Sequence, residues 1–185
     1  MTALELFQEL RSGGYTKNWI GVDWKIKDGC MLFQASHGKI DWTFNFLSAL
    51  RIPGRLGGTW FIFPLGAWLM WRTIRKTVKE LVASGQVKEF AGYSQGAWFA
   101  SYASAMTGLV ARTFGCPKLG KGSPSLFVDV THYKNPGDIV TRVPTWANQY
   151  GNVLILNKQI QRPEGLTEIE WLSHHSPEEY IARLS

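Results

Sequence analysis

The run Gly92-Tyr93-Ser94-Gln95-Gly96 sets a serine between two glycines, with one residue separating it from each. A serine hydroxyl is a weak nucleophile until the backbone exposes it and a neighbouring base takes its proton. The flanking sequence suits such exposure. An apolar run over 87–91 reads as a strand, and the charge-free run over 95–106 reads as a buried helix. A strand-to-helix turn with this pattern is a nucleophile elbow, in which glycines let the backbone bend sharply and let strand and helix approach closely. The same residues also make an ordinary glycine turn before a core helix, but the setting favours the elbow. Its chemistry would be attack on an acyl carbonyl.

Where a serine works from an elbow, an acid and then a histidine follow it in the chain. Asp129 lies inside the strand-like run Phe127-Val128-Asp129-Val130, which fixes its side chain to one sheet face. Asp138 closes the turn Asn135-Pro136-Gly137-Asp138, just past that strand. Turn-capping is a common role for such an aspartate. The position beyond a strand end, where open α/β sheets hold their chemistry, favours Asp138 as the acid. Of the four histidines, His132 reads as a packed strand residue and His37 precedes the serine. His174 and His175 remain. Ser176, Pro177 and Glu179 form a helix start, as N-cap, first-turn proline and capping-box acid. His175 therefore falls in the loop immediately before the last helix. The expected triad is Ser94, Asp138 and His175, with His174 as the alternative base.

Several elements must bring these residues together. The apolar spacing predicts helices over 2–11, 41–50, 67–84 and 95–106, a short one near Thr167 and a last one from Pro177. Strands are predicted over 18–25, 30–35, 87–91, 109–114, 126–133 and 152–156, with Asp28-Gly29 as a hairpin turn between the first two. Residues 51–59 read as a loop because of Pro53 and the glycines, and 60–63 as a short strand or an apolar surface turn. Strand and helix alternate through the second half. That predicts an α/β fold with a mostly parallel sheet and helices on both faces, in a single domain over residues 1–185.

Composition narrows the function classes. An apolar content of 45% over 185 residues excludes a disordered chain. The net charge of +6 suits anionic surfaces, yet zinc-finger spacing, a heptad zipper and an aromatic RNA-binding motif are all missing, so nucleic acid is not an expected partner. Cys30 and Cys116 form no metal or redox spacing, and nothing requires a disulfide between them. No metal or organic cofactor is expected. The first residues lack the basic and apolar regions of a secretory signal, and no apolar run reaches the roughly 18 residues of a spanning helix. A cytoplasmic protein is the default expectation.

With these residues in view, the sequence resembles the class 3 lipases, which are α/β hydrolases. Five motifs carry the resemblance, from about Val22 to Leu184. They are the elbow; Phe33-Gln34-Ala35-Ser36 followed by Asp41-Trp42; Phe114-Gly115-Cys116-Pro117-Lys118-Leu119-Gly120; the stretch from Asp138 to Pro144; and His175 followed by Tyr180. The resemblance implies ester hydrolysis in lipid degradation, through Ser94, Asp138 and His175. It also implies an oxyanion hole formed by Ser36 and the backbone N–H of Gln95. Departures are Gln34-Ala35 in place of Arg-Gly, Ala97 in place of a glycine, and a missing His-x-Gly-Phe before the long helix. Tyr93 and Gln95 are closer to the elbow of cutinases.

The expected partner is an acyl ester or lipid. The aromatic cluster from Trp60 to Trp71 coincides with the lid and acyl site of that family, or else belongs to the core. Arg72, Arg75, Lys76 and Lys79 form a basic stripe on the adjoining helix, which suggests an anionic membrane surface. Two alternatives stay open, a cutinase-like esterase of short chains or polyesters, and a catalytically inactive lipase-like module that binds lipid or protein.

Overall fold

The computed structural model of the protein describes residues 1–17, 22–35, 47–158 and 174–185. Helix α1 (Ala3–Arg11) opens on a capping box between Thr2 and Glu5, and buries Leu6, Phe7 and Leu10. Strands β1 (Val22–Lys27) and β2 (Cys30–Ala35) pair antiparallel through a turn in which Asp28 and Gly29 both have positive φ, 51° and 78°. A separate antiparallel hairpin follows, β3 (Arg51–Leu56) with β4 (Thr59–Pro64), and leads straight into helix α2 (Leu65–Ala83).

The second half is strand and helix in alternation. It contains β5 (Glu89–Tyr93), α3 (Gln95–Thr107), β6 (Ala111–Phe114), β7 (Val130–Lys134), β8 (Asn152–Ile155) and α4 (Pro177–Leu184). The main sheet has the order β1-β2-β5-β6-β7-β8, antiparallel only between β1 and β2. Because β5, β6 and β7 run parallel, their carboxyl ends lie together at one end of the sheet.

Period-two alternation divides the core between the two sheet faces. Met31 and Phe33 of β2, with Phe90 of β5, meet Met70, Trp71 and Ile74 of α2 and the buried side of α3. Cys30 and Leu32, with Tyr93 and Phe114, meet Leu6, Phe7 and Leu10 of α1 and Tyr180 of α4. Burial of each such aromatic ring stabilises the fold by roughly 1.5–3 kcal/mol. The charge-free α3 is buried along nearly its whole length, as its composition predicts. Gly85, with φ 74°, ends α2 by turning its N–H to the Val82 carbonyl while Gln86 turns to Leu81.

Three expectations are corrected. Residues 51–56 are a strand and not a loop. Pro53 is tolerated because β3 has a single partner, and a side chain at Gly54 would crowd the Phe63 and Trp68 rings at 3.0 and 3.2 Å. Residues 124–127 form a 3₁₀ turn that buries Phe127, so β7 begins only at Val130. Asp129 accordingly lies ahead of the strand, exposed, and not within it. The predicted helices over 41–50 and near Thr167 fall wholly or largely outside the described residues, and residues 48–50 form a turn.

Candidate active site

Ser94 stands between β5 and α3 with φ 55° and ψ −125°, one of two positive-φ residues other than glycine among the described residues. For a residue with a Cβ this backbone costs on the order of 1–3 kcal/mol, so the surroundings must hold it. Two glycines allow the close contacts that do so. A Cβ at Gly92 would meet the Gly96 carbonyl oxygen at 2.3 Å, and one at Gly96 would meet that of Phe33 at 2.2 Å. The Ser94 N–H donates to the Phe114 carbonyl on β6 at 2.9 Å, which ties the turn to the sheet. Gln95 opens α3, so its backbone N–H lies at the positive end of the helix. Its side-chain amide donates to the Met70 sulfur at 3.3 Å, fixing α3 against α2.

Asp138 follows β7 in the turn that Gly137 makes possible with φ 85°, and its side chain is fully buried. Among the described residues its carboxylate has three hydrogen-bond partners, all donors. Oδ1 accepts from the Val140 N–H at 2.9 Å, and Oδ2 accepts from the Tyr180 hydroxyl at 2.8 Å and from His175 Nδ1 at 2.9 Å. Burial, and then the neighbouring Asp138 carboxylate, push the Tyr180 phenol well above its usual value, so it remains a donor. A carboxylate on Nδ1 selects the imidazole tautomer with its proton there. Nε2 is then left to accept from Ser94 Oγ, at 2.8 Å.

The loop carrying His175 is held by its backbone. Tyr93 donates its hydroxyl to the His175 carbonyl, and Asn135 Nδ2 donates to the His174 carbonyl at 3.0 Å. Ser176 caps α4 by accepting from the Glu179 N–H at 3.2 Å. The Glu179 carboxylate turns instead to His174 Nδ1, at 3.0 Å, and to Arg183, at 2.7 Å. His174 is thereby drawn away from Ser94, and His175 is the histidine that reaches it.

The other candidates fall elsewhere. Ser36, His37 and the Asp41-Trp42 pair lie outside the described residues. His132 is buried in β7, where Nε2 donates to the Tyr150 carbonyl at 2.6 Å and Nδ1 pairs with the Thr113 hydroxyl at 2.5 Å. Burial lowers its pKa to about 4. Cys30 and Cys116 are free and buried, with thiols pushed up to about 12 by burial, so neither is a nucleophile.

A cavity of about 720 Å³ opens beside Ser94 and His175. Trp98, Ile139, Val143, Pro144 and Trp146 give it mostly apolar walls. The cluster from Trp60 to Trp71 does not line it. Phe61, Phe63, Met70 and Trp71 are core, while Trp60 and Ile62 are exposed on the opposite face of β4. Sequence reasoning used the stretch from Asp138 to Pro144 only as a motif around the candidate acid, and missed that Ile139, Val143, Pro144 and Trp146 wall the cavity beside it. Asn135 was read only as part of a turn.

The fold is similar to that of solved lipases. A fungal lipase superposes with a TM-score of 0.55 at 16% identity, covering 81% of this chain and 64% of that one. Lip2 lipase from Yarrowia lipolytica gives 0.54 at 12% identity, covering 79% of this chain and 65% of that one. This chain thus spans just under two thirds of the length of each. No protein-family model and no curated protein sequence matches it. Identities this low speak for the fold alone, and that fold is of the α/β-hydrolase type.

Proposed function

We propose that the chain is a serine carboxylic-ester hydrolase acting through an acyl-enzyme. Ser94 attacks the ester carbonyl while His175 Nε2 takes its proton and later returns it to the leaving alcohol. Asp138 keeps the imidazole in the required tautomer and stabilises the imidazolium. The Gln95 N–H donates to the oxyanion, and Ser36 supplies the second donor in this reading. Loss of one such donor costs on the order of 3 kcal/mol of transition-state stabilisation. Water then enters by the same route, and His175 activates it to release the acid.

The observation that carries the reading is the unbroken relay from Ser94 Oγ through His175 to Asp138, at 2.8 and 2.9 Å, on a backbone strained at the serine. The apolar cavity beside it supports an acyl group as the part of the substrate held during attack, and hence a lipid or related ester. Hydrolysis of p-nitrophenyl esters of rising chain length tests the proposal. Turnover should fall at least about a thousandfold in Ser94→Ala. A maximum at the shortest chains would favour the cutinase-like specificity that Tyr93 and Gln95 suggest, and a maximum at medium or long chains a lipase.

A further inference from the structure

A second cavity, of about 360 Å³, lies at the carboxyl ends of β6 and β7 and differs from the first in the cations among its lining residues. Lys118, Lys134 and Arg142 all line it, and no acid stands among its described lining residues. Among the described residues none of the three has an ion pair. Arg142 is set in place by a short 3₁₀ turn, Val140–Arg142, that is pinned on both sides. The Thr141 hydroxyl donates to the Asp138 carbonyl at 2.8 Å, and the Lys118 N–H donates to the Val143 carbonyl at 2.8 Å.

These cations repel one another. The Lys134 amine is pushed below its ordinary value, first by burial and then by Arg142, with Lys118 adding to the effect. Asp138 opposes it in part; that carboxylate is not among the lining residues and is hydrogen-bonded to His175, Tyr180 and the Val140 N–H. Three cations line one cavity whose described lining holds no acid, and such a cluster focuses a positive potential. A guanidinium that can donate two parallel bonds, beside two lysine ammonium groups, matches a tetrahedral oxyanion such as phosphate.

The two cavities are lined by neighbouring residues of the same two loops. Pro117 and Val143 line the apolar cavity beside Ser94, while their chain neighbours Lys118 and Arg142 line the cationic one. We propose that the cationic cavity is a binding site for a phosphate-class oxyanion, held by Lys118, Lys134 and Arg142. Its source is either the head group of a phosphorylated ester or free phosphate. The anion site stands apart from the hydrolase reading, and only the head-group source rests on it.

The test titrates the full chain with inorganic phosphate at constant ionic strength, by calorimetry and by NMR of the lysine side-chain amines. Saturable one-to-one binding is expected, with the Lys134 amine pKa rising as phosphate binds. Binding should weaken at least tenfold in Lys134→Gln with Arg142→Gln, and by a smaller factor in each single variant, with thermal unfolding of the free protein reporting that each remains folded. If the double variant does not fold, the single variants decide. Absence of saturable binding to wild type overturns the site, as does equal binding to wild type and folded variants. The source is then read with two short-chain esters, dibutyryl phosphatidate and neutral dibutyrylglycerol. A KM raised at least tenfold by the substitutions for the phosphatidate alone identifies a head-group site. Equal effects on both esters, with phosphate binding retained by wild type, identify free phosphate. Phosphate binding without turnover of either ester leaves the anion site standing and overturns the head-group source, while the hydrolase reading stands or falls separately on p-nitrophenyl esters.

Discussion

The phenol ring of Tyr93 lies nearly parallel to the imidazole of His175, with centroids 5.2 Å apart and planes inclined by 19°. The Tyr93 hydroxyl also donates to the His175 carbonyl. One side chain of the elbow therefore holds both the ring and the backbone of the histidine that reaches Ser94. Burial pushes the phenol above its usual pKa, so this donor persists across the working range. Tyr93→Phe keeps the stack and removes the hydrogen bond, worth roughly 1 kcal/mol. It should lower kcat about fivefold with little change in KM, while Tyr93→Ala should lower it further. Steady-state kinetics on p-nitrophenyl butyrate check the ranking, and a Tyr93→Phe enzyme with wild-type kcat removes the hydroxyl from the account.

The two adjacent histidines differ in what they touch. His175 bridges Ser94 and Asp138, whereas His174 is held by Glu179. His175→Ala and Asp138→Ala should each reduce turnover by at least about a thousandfold, as expected for members of one relay. His174→Ala should retain most of it and lose some stability instead. Turnover and thermal unfolding of the three variants separate these effects. A His174 variant as inactive as His175→Ala would move the base.

Much of this site was legible because its parts are local patterns. The elbow needs glycines at Gly92 and Gly96, and the sequence carries them between a strand and a helix. Ser176-Pro177 marks the start of α4, which fixes where His175 must stand. Other parts depend on contacts remote in the chain. Gly54 and Pro53 look like loop residues, yet β4 and the Phe63 and Trp68 rings make 51–56 a strand. Leu126 and Phe127 look like strand residues, yet packing on the core curls them into a 3₁₀ turn. The place before α4 favours His175 over His174 in the sequence, whereas the contacts of Glu179 are not legible there: its carboxylate is expected to close a capping box and instead faces His174 and Arg183.

His132 makes stability depend on pH. Its folded pKa of about 4 lies below the ordinary 6.5, so the unfolded chain binds the extra proton between those values. Its contribution is fully present above about pH 6.5 and is lost as pH falls toward 4. At roughly 1.4 kcal/mol per pKa unit, the loss is on the order of 3 kcal/mol. His132→Gln, which cannot titrate, should show a shallower decline of unfolding free energy over that window. Denaturant melts at several pH values measure the two slopes, and equal slopes contradict the assignment.

Trp60 is 64% exposed and Ile62 38% exposed on β4, which runs into α2 with its exposed Arg72, Arg75, Lys76 and Lys79. Apolar and cationic side chains so placed suit an anionic lipid surface, each cation adding on the order of 1 kcal/mol. Co-sedimentation with phosphatidylserine vesicles should be salt-sensitive and at least tenfold weaker in Arg75→Glu with Lys79→Glu. Wild-type protein remaining in the supernatant at both low and high salt sets this surface aside.

The central claim is that Ser94 is a nucleophile activated by His175. The most direct measurement is labelling of the folded protein by a fluorophosphonate, with the adduct located by mass spectrometry after digestion. The account predicts modification at Ser94 alone, abolished in Ser94→Ala and slowed by at least about a hundredfold in His175→Ala. A folded wild-type protein without an adduct at Ser94, or one labelled equally fast when His175 is replaced, would contradict it.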